Sequence, residues 1–411
     1  MSSIAPDIAA NARPLLKPRR LIPLIGALQC VYILDFMLIL PLGPDLAAAL
    51  GFRSNQVGWL TAAYTLASLS AGLFAVPLLD RFDRRQALLA SLAGLTLALI
   101  ACALAQDFST LLFARAAAGL SAAPTIASGM AILIDHTPPP QRGSAIAKVM
   151  IGFSLATIGG IPLGLELATR CGWQSAFLVV ALLAALVGAA ASRLLPAQTQ
   201  HLLSPPNQHG AIASRQSPLA LLKRRSVQIA SLLLGLNQFA AFLVVPSFSA
   251  FYLLNLGFPR EQLGLLYLAG GVVALFAMQL AGRTTDKRGP WLPVLIASIC
   301  FCLGLLPFCG IHALPITLCF VLFMAGNAAR SVCLASSLSQ IPAPQERAGF
   351  MALQKMVQDL GVSLAAGASA LLLGSVDGPL THTTELAGLT MLGALGVLGL
   401  LAVLQRKMPR H

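Results

Sequence analysis

Five charged side chains stand deep inside apolar stretches of this chain: Asp35, Arg115, Arg330, Lys355 and Asp359. Ionisable groups in hydrocarbon are costly and rare, and they mark proton relays, ion pairs or substrate contacts. Asp35 lies about 9 Å before Pro41, near the outer end of the first apolar run, and Arg115 lies roughly 8 Å from the same boundary on the fourth, at 1.5 Å per residue. The two therefore share a level. Low dielectric favours the neutral form of a carboxyl group and an adjacent guanidinium favours the ionised form, so a change in their separation can switch protonation. Asp35 and Arg115 are the candidate proton-coupling pair. The blander alternative is an arginine reaching outward with an aspartate that neutralises it. Lys355 and Asp359 stand at i, i+4 on one helical face, and Arg330 is placed at a similar depth, about 18 Å from the inner end. A three-member charge cluster is expected there, serving either substrate contact or pairing of the tenth and eleventh helices. Gln29, Tyr32, Asn237 and Gln238 are mid-span polar residues on the first and seventh runs. They line a substrate path or hydrogen-bond between helices. Lys148, nearer the inner edge, is expected to snorkel, and Glu166 to reach water at the outer end of the fifth run.

The elements that must position these groups are membrane helices. The chain is 57% hydrophobic and 10% charged, against about a quarter charged in soluble proteins. Twelve apolar runs begin near Leu21, Val57, Ala87, Leu111, Ile146, Phe177, Ser226, Leu263, Trp291, Leu314, Ala348 and Leu386. Each is long enough to cross about 30 Å of hydrocarbon. The net charge of +13 is carried by short loops rather than by one face of a soluble domain, which argues against nucleic acid. With the N-terminus cytoplasmic, 20 Lys and Arg fall on the inner side against Arg53, Arg170 and Arg260 on the outer side, so both termini are expected in the cytoplasm. Trp59 and Trp173 then fall near the outer interface and Trp291 at the inner one. The basic residues Arg13, Lys17, Arg19 and Arg20 precede the first run without a cleavage site, so that run reads as a retained helix rather than a signal peptide. The eight cysteines form no C-x-x-C and no histidines stand at ligand spacing, so neither metal nor cofactor is expected. The six histidines fall in loops, tails or helix ends, away from any mid-membrane proton path.

The sequence from Leu50 to Arg85 recurs 206 positions later as Leu256 to Trp291: Gln56 meets Gln262, Gly58 meets Gly264 and Asp80 meets Asp286. A repeat of half the chain's length, built from membrane spans, implies two related halves. Each copy ends in a charged loop, Asp80-Arg81-Phe82-Asp83-Arg84-Arg85 and then Gly282-Arg283-Thr284-Thr285-Asp286-Lys287-Arg288-Gly289. These loops resemble motif A of the major facilitator superfamily, the first copy with Val76 and Asp83 where the family has glycine. The stretch Arg115-x-x-x-Gly119-x-Ser121 resembles motif B of its proton-driven exporters. The fifth run, with Gly152, Gly159, Gly160, Pro162 and Gly164, is similar to the antiporter motif C, although Ile161 separates Gly160 from Pro162. Those glycines are expected to pack helices closely while Pro162 lets the helix bend.

The resemblance implies an all-α membrane protein of twelve transmembrane helices in two pseudo-symmetric six-helix bundles. Residues 21–195 form the first and 226–405 the second, joined by a cytoplasmic linker at 196–225, with tails at 1–20 and 406–411. Ser217 to Arg225 is expected to form a short interfacial helix with Leu219, Leu221 and Leu222 in the lipid. The resemblance also implies a central substrate path lined by the first and seventh helices, with Gln29, Tyr32, Asn237 and Gln238 on it, and a small-molecule substrate with protons and membrane lipids as the other partners. Arg330, Lys355 and Asp359 are expected to contact substrate or pair structurally, and the basic loops with Asp80, Arg81, Arg84, Arg85, Asp286, Lys287 and Arg288 are expected to gate the cytoplasmic side. The chain reads as a monomeric, proton-coupled exporter of the plasma or bacterial inner membrane, not an enzyme. A receptor or accessory protein without transport, and a lipid-handling translocase, are the alternatives.

Overall fold

Twelve helical passes make up the computed structural model, which describes residues 18–75, 82–138, 141–196, 218–338, 341–342, 347–375 and 378–407. They are α1 (Pro18–Leu50), α2 (Ser54–Phe74), α3 (Arg84–Ala103), α4 (Phe108–Asp135), α5 (Arg142–Cys171) and α6 (Trp173–Leu194) in the first half. The second half holds α7 (Arg225–Asn255), α8 (Arg260–Arg288), α9 (Trp291–Leu303), α10 (Ile316–Leu338), α11 (Arg347–Leu372) and α12 (Thr383–Lys407). Ten of these are long and apolar enough to cross a membrane among the described residues, and α9 is a shorter apolar helix extended by a 3-10 turn at Leu306–Cys309.

Adding six to each helix number of the first half gives the packing of the second. α2 lies on α4 as α8 lies on α10, α3 on α4 as α9 on α10, α3 on α6 as α9 on α12, and α1 on α5 as α7 on α11. Between halves, α2 packs on α11 and α5 on α8, again one pair under the same operation. The 206-residue repeat thus shows as a pseudo-two-fold arrangement of two six-helix bundles.

Two helix interruptions fall beside proline. α5 contains a π-helical turn at Ala156–Gly160 just before Pro162, and α7 tightens into a 3-10 turn at Val245–Ser247 around Pro246. Proline supplies no amide hydrogen to the helical ladder, and neighbouring helices take up the rearrangement. α1 nevertheless continues through Pro41 and Pro44 to Leu50, beyond the outer end expected near Pro41. That extension carries Asp45 toward the other half.

The named contacts between halves occupy one end of the molecule, the end remote from the start of α1 and the close of α12. There Asn55 donates to the carbonyls of Ala370 (3.2 Å) and Leu373 (2.7 Å). A Cβ on Gly58 would lie 2.2 Å from the Ala366 carbonyl, so only glycine admits α11 here. The seam continues through Ser363 to the Ala62 carbonyl and ends at Ser68 and Asp359. From Asn55 to Ser68 is about 20 Å of helix, so contact reaches mid-span. On the other flank α8 packs on the part of α5 from the π-turn onward, not on Arg142–Val149.

Two expectations need correction. Pro218–Lys223 is a 3-10 turn whose Leu221 is buried in the core of the second half, not set in lipid, because it packs beside Val227 and Phe350. Trp173 is buried edge-to-face against Phe177 rather than displayed at an interface.

Candidate functional site

The first charged centre is built by α1, α2 and α4. Arg115 donates from Nη1 to Asp35 Oδ1 at 2.7 Å and to the Asp35 carbonyl at 3.1 Å, and both side chains are fully buried. Its guanidinium lies 4.4 Å from the centre of the Tyr64 ring on α2, a cation–π arrangement that strengthens when desolvated. The close approach of α2 to α4 depends on Gly119, where a Cβ would fall 2.0 Å from the Tyr64 carbonyl. Asp35 Oδ2 and Arg115 Nε and Nη2 lack hydrogen-bond partners among the described residues. The pair is thus formed and sealed, with part of its bonding capacity unused.

The second centre lies at the seam between halves. Lys355 and Asp359 form an i, i+4 ion pair on α11, Asp359 Oδ2 accepts from Ser68 Oγ at 3.2 Å across the seam, and the Lys355 ammonium lies 5.9 Å from the Tyr32 ring on α1. Four helix positions from both halves meet there, which the sequence reading did not anticipate for Ser68. A lone serine in an apolar run gave no signal distinguishing it from Ser70.

Arg330 is not part of this cluster. It is fully buried, 4.1 Å from the Phe301 ring of α9, with no hydrogen-bond partner for its guanidinium nitrogens among the described residues. The three-member grouping fails because α10 lies between α8 and α9, whereas α11 lies between α7 and α2, so equal depth does not bring these helices together. Asn237 donates to Ser331 Oγ at 3.2 Å and is buried, binding α7 to α10. Gln238 and Gln29 are half-buried.

The basic loops bind within their own halves. Arg84 pairs with Asp135 at the end of α4, Arg85 Nη2 donates to the Ser192 carbonyl of α6 at 2.7 Å, and Asp83 caps α3 through the Arg85 amide. Asp286 accepts from Ser336 Oγ on α10 at 3.3 Å, while Lys287 and Arg288 close α8. Asp80 and Arg81 lie outside the described residues. Of the fifth-helix glycines, Gly152 meets the Gly26 carbonyl, which a Cβ would approach to 2.0 Å, and Gly160 and Gly164 admit Leu34 and Leu38 of α1. Gly159 meets nothing within 4 Å and is no packing residue. Glu166 pairs with Arg170 on an exposed face.

One inter-half contact had no precedent in the sequence reading. Arg260 at the start of α8 holds Asp45 of α1 through two hydrogen bonds, Nε to Oδ1 at 3.0 Å and Nη2 to Oδ2 at 2.5 Å. Only the unexpected length of α1 makes this pair possible.

Two six-helix bundles related by a repeat, meeting at one end and holding ionised groups at mid-span, define a polytopic membrane transporter. The family model described as Major Facilitator Superfamily matches residues 25–366, and the chain belongs to that superfamily. It is similar to a chloramphenicol resistance protein of Streptomyces lividans, 25% identical over 364 residues, covering 87% of this chain and 86% of the relative. A chromaffin granule amine transporter of Rattus norvegicus is 26% identical over 253 residues, 61% of this chain and 47% of that protein. Among solved structures, a bacterial homolog of the human lysosomal transporter Spinster, inward-facing and unoccupied, superposes with a TM-score of 0.71 at 16% identity, covering 96% of each chain. The human organic anion transporter MFSD10 gives 0.67 at 20% identity, covering 95% of this chain and 100% of that one.

Proposed function

We propose that the chain is a proton-coupled exporter of small amphipathic molecules, acting as a monomer in a bacterial inner membrane with both termini in the cytoplasm. The observation that carries this reading is the sealed Asp35–Arg115 ion pair. A buried pair is weak evidence of stabilisation, since well-packed apolar residues are often as good or better. A fully buried carboxylate retained inside a membrane bundle is accounted for by reversible protonation.

With cytoplasmic termini, contact that among the described residues runs from the remote end to mid-span corresponds to an inward-open arrangement in which the pair is formed and Asp35 ionised. When the halves rock to open outward, protonation of Asp35 releases Arg115 from its counter-ion. Return to the inward state re-forms the pair and discharges the proton, so a bound solute and the proton are carried in opposite directions. Export is supported by the chloramphenicol resistance relative and by the resemblance of α5 to the antiporter motif. The basic loops at Asp80–Arg85 and Asp286–Arg288 serve as the inner gate in this cycle. Purified protein reconstituted into vesicles tests the reading: solute movement driven by an imposed pH gradient, and abolished by a protonophore, is the expected result. Movement equally fast without the gradient contradicts it.

A further inference from the structure

Lys355 is accessible although it stands at mid-span. Its side chain is 50% exposed, against 9% for Asp359 and none for Arg115 or Asp35. The direction of that exposure follows from helix geometry. The bare apolar residues of α11 toward its remote end are Leu360, Leu364, Leu371 and Leu372; the first three fall within about 40° of one another at about 100° per residue and form the lipid stripe, and Leu372 ends the helix about 120° from Leu360. Lys355 falls about 140° from Leu360, and Met351, 63% exposed, falls opposite the stripe. Both therefore face the space between the halves.

The bonding of the cluster sets what that space can receive. Asp359 spends one oxygen on Lys355 and the other on Ser68. Its charge is held inside the seam. An ammonium has three donors and no acceptor; Lys355 gives one to Asp359 and lies against the Tyr32 side chain, which leaves donor capacity for a ligand at this exposed site. Among the deep charges Asp35, Arg115, Arg330, Lys355 and Asp359, it alone is exposed. A cationic group entering here meets a like charge, while a carboxylate or similar anionic oxygen group meets an available charged donor and, at its flank, an aromatic ring.

We infer that Lys355, with Tyr32 facing it from the other half, is the subsite for an anionic oxygen group, such as a carboxylate, of an amphipathic substrate. This rests on the transport reading above for its biological meaning but concerns binding alone. Tyr32 and Lys355 belong to different halves, so a carboxylate bound here joins both sides of the seam, as a substrate that is released by rocking must do. Asp359 is a positioning residue: it fixes Lys355 rather than touching the ligand.

The test uses purified full-length protein and three fluorescent probes that share one aromatic body: dansylglycine with a carboxylate, dansylglycinamide without charge, and dansylcadaverine with an ammonium. Wild type is expected to bind the carboxylate about tenfold more tightly than the amide, as one charge-assisted hydrogen bond supplies, and the amine least tightly. Lys355→Arg should keep this order. Lys355→Gln combined with Asp359→Asn removes the pair without stranding a charge, and should bring carboxylate and amide within about twofold while amide affinity stays put. Equal wild-type affinities, absence of carboxylate binding, preference for the amine, or discrimination that survives in the double variant would each overturn the inference. Preference for the carboxylate without gradient-driven transport would refute the export reading and leave this one standing.

Discussion

At Asp35 and Arg115 the decisive quantity is what each leaves behind when the other is removed. Arg115→Met strands a carboxylate in the bundle and is expected to lower stability by about 3 to 5 kcal/mol, whereas Asp35→Leu with Arg115→Met recovers most of the loss. Thermal unfolding in detergent measures both. A second residue-scale expectation concerns Asp107, in the loop before α4, whose carboxylate is held below its usual range by hydrogen bonds from the Thr110 amide and hydroxyl. Because the ionised form is favoured in the folded state, its contribution is present above about pH 4 and is lost as pH falls through the lowered folded value. Protection of the first-turn amides of α4, measured against their intrinsic exchange at each pH, should therefore fall in acid, and Asp107→Asn should weaken that dependence. Depth arithmetic along the sequence was enough to find the Asp35–Arg115 pair, because both residues sit on helices that pack directly. The same arithmetic misplaced Arg330, whose neighbours are set by the order of helices around the bundle.

Among the elements, α5 shows how closely sequence motifs and packing agree. Gly152 lets the backbone of α5 reach that of α1, whereas Gly159 faces open space in the π-turn. Gly152→Val is expected to cost about 1 to 3 kcal/mol through overpacking, while Gly159→Ala should change stability by less than about 0.5 kcal/mol. Melting curves of the two variants distinguish a packing surface from a run of small residues. Glycine spacing alone could not separate them, because it names candidates for contact without naming the partner. Helix number and boundaries were largely legible from apolar length; the extension of α1 past Pro41 was not, since its outer turns are stabilised by α7 and α8, elements two hundred residues away. The linker turn was misread for a similar reason: Leu221 finds a protein groove where its local sequence suggested lipid.

For the whole molecule, the two-fold relation was legible in the 206-residue repeat, but the way the halves meet was not. Asp45–Arg260 and the Asn55 contacts with α11 hold the remote end shut. A partly exposed ion pair contributes about 1 kcal/mol, so Arg260→Ala should raise the population open at that end by about fivefold. A cysteine at Ala370, in a background free of the eight native cysteines, reports this through faster labelling by an impermeant maleimide; an unchanged rate would show that the pair is no latch. The central claim, that rocking of these halves is coupled to the charge on Asp35, is tested most directly by proton release from purified protein in weak buffer on adding a transported solute. The account predicts release from wild type and none from Asp35→Asn, whose residual solute binding no longer depends on pH; equal release from both would contradict it.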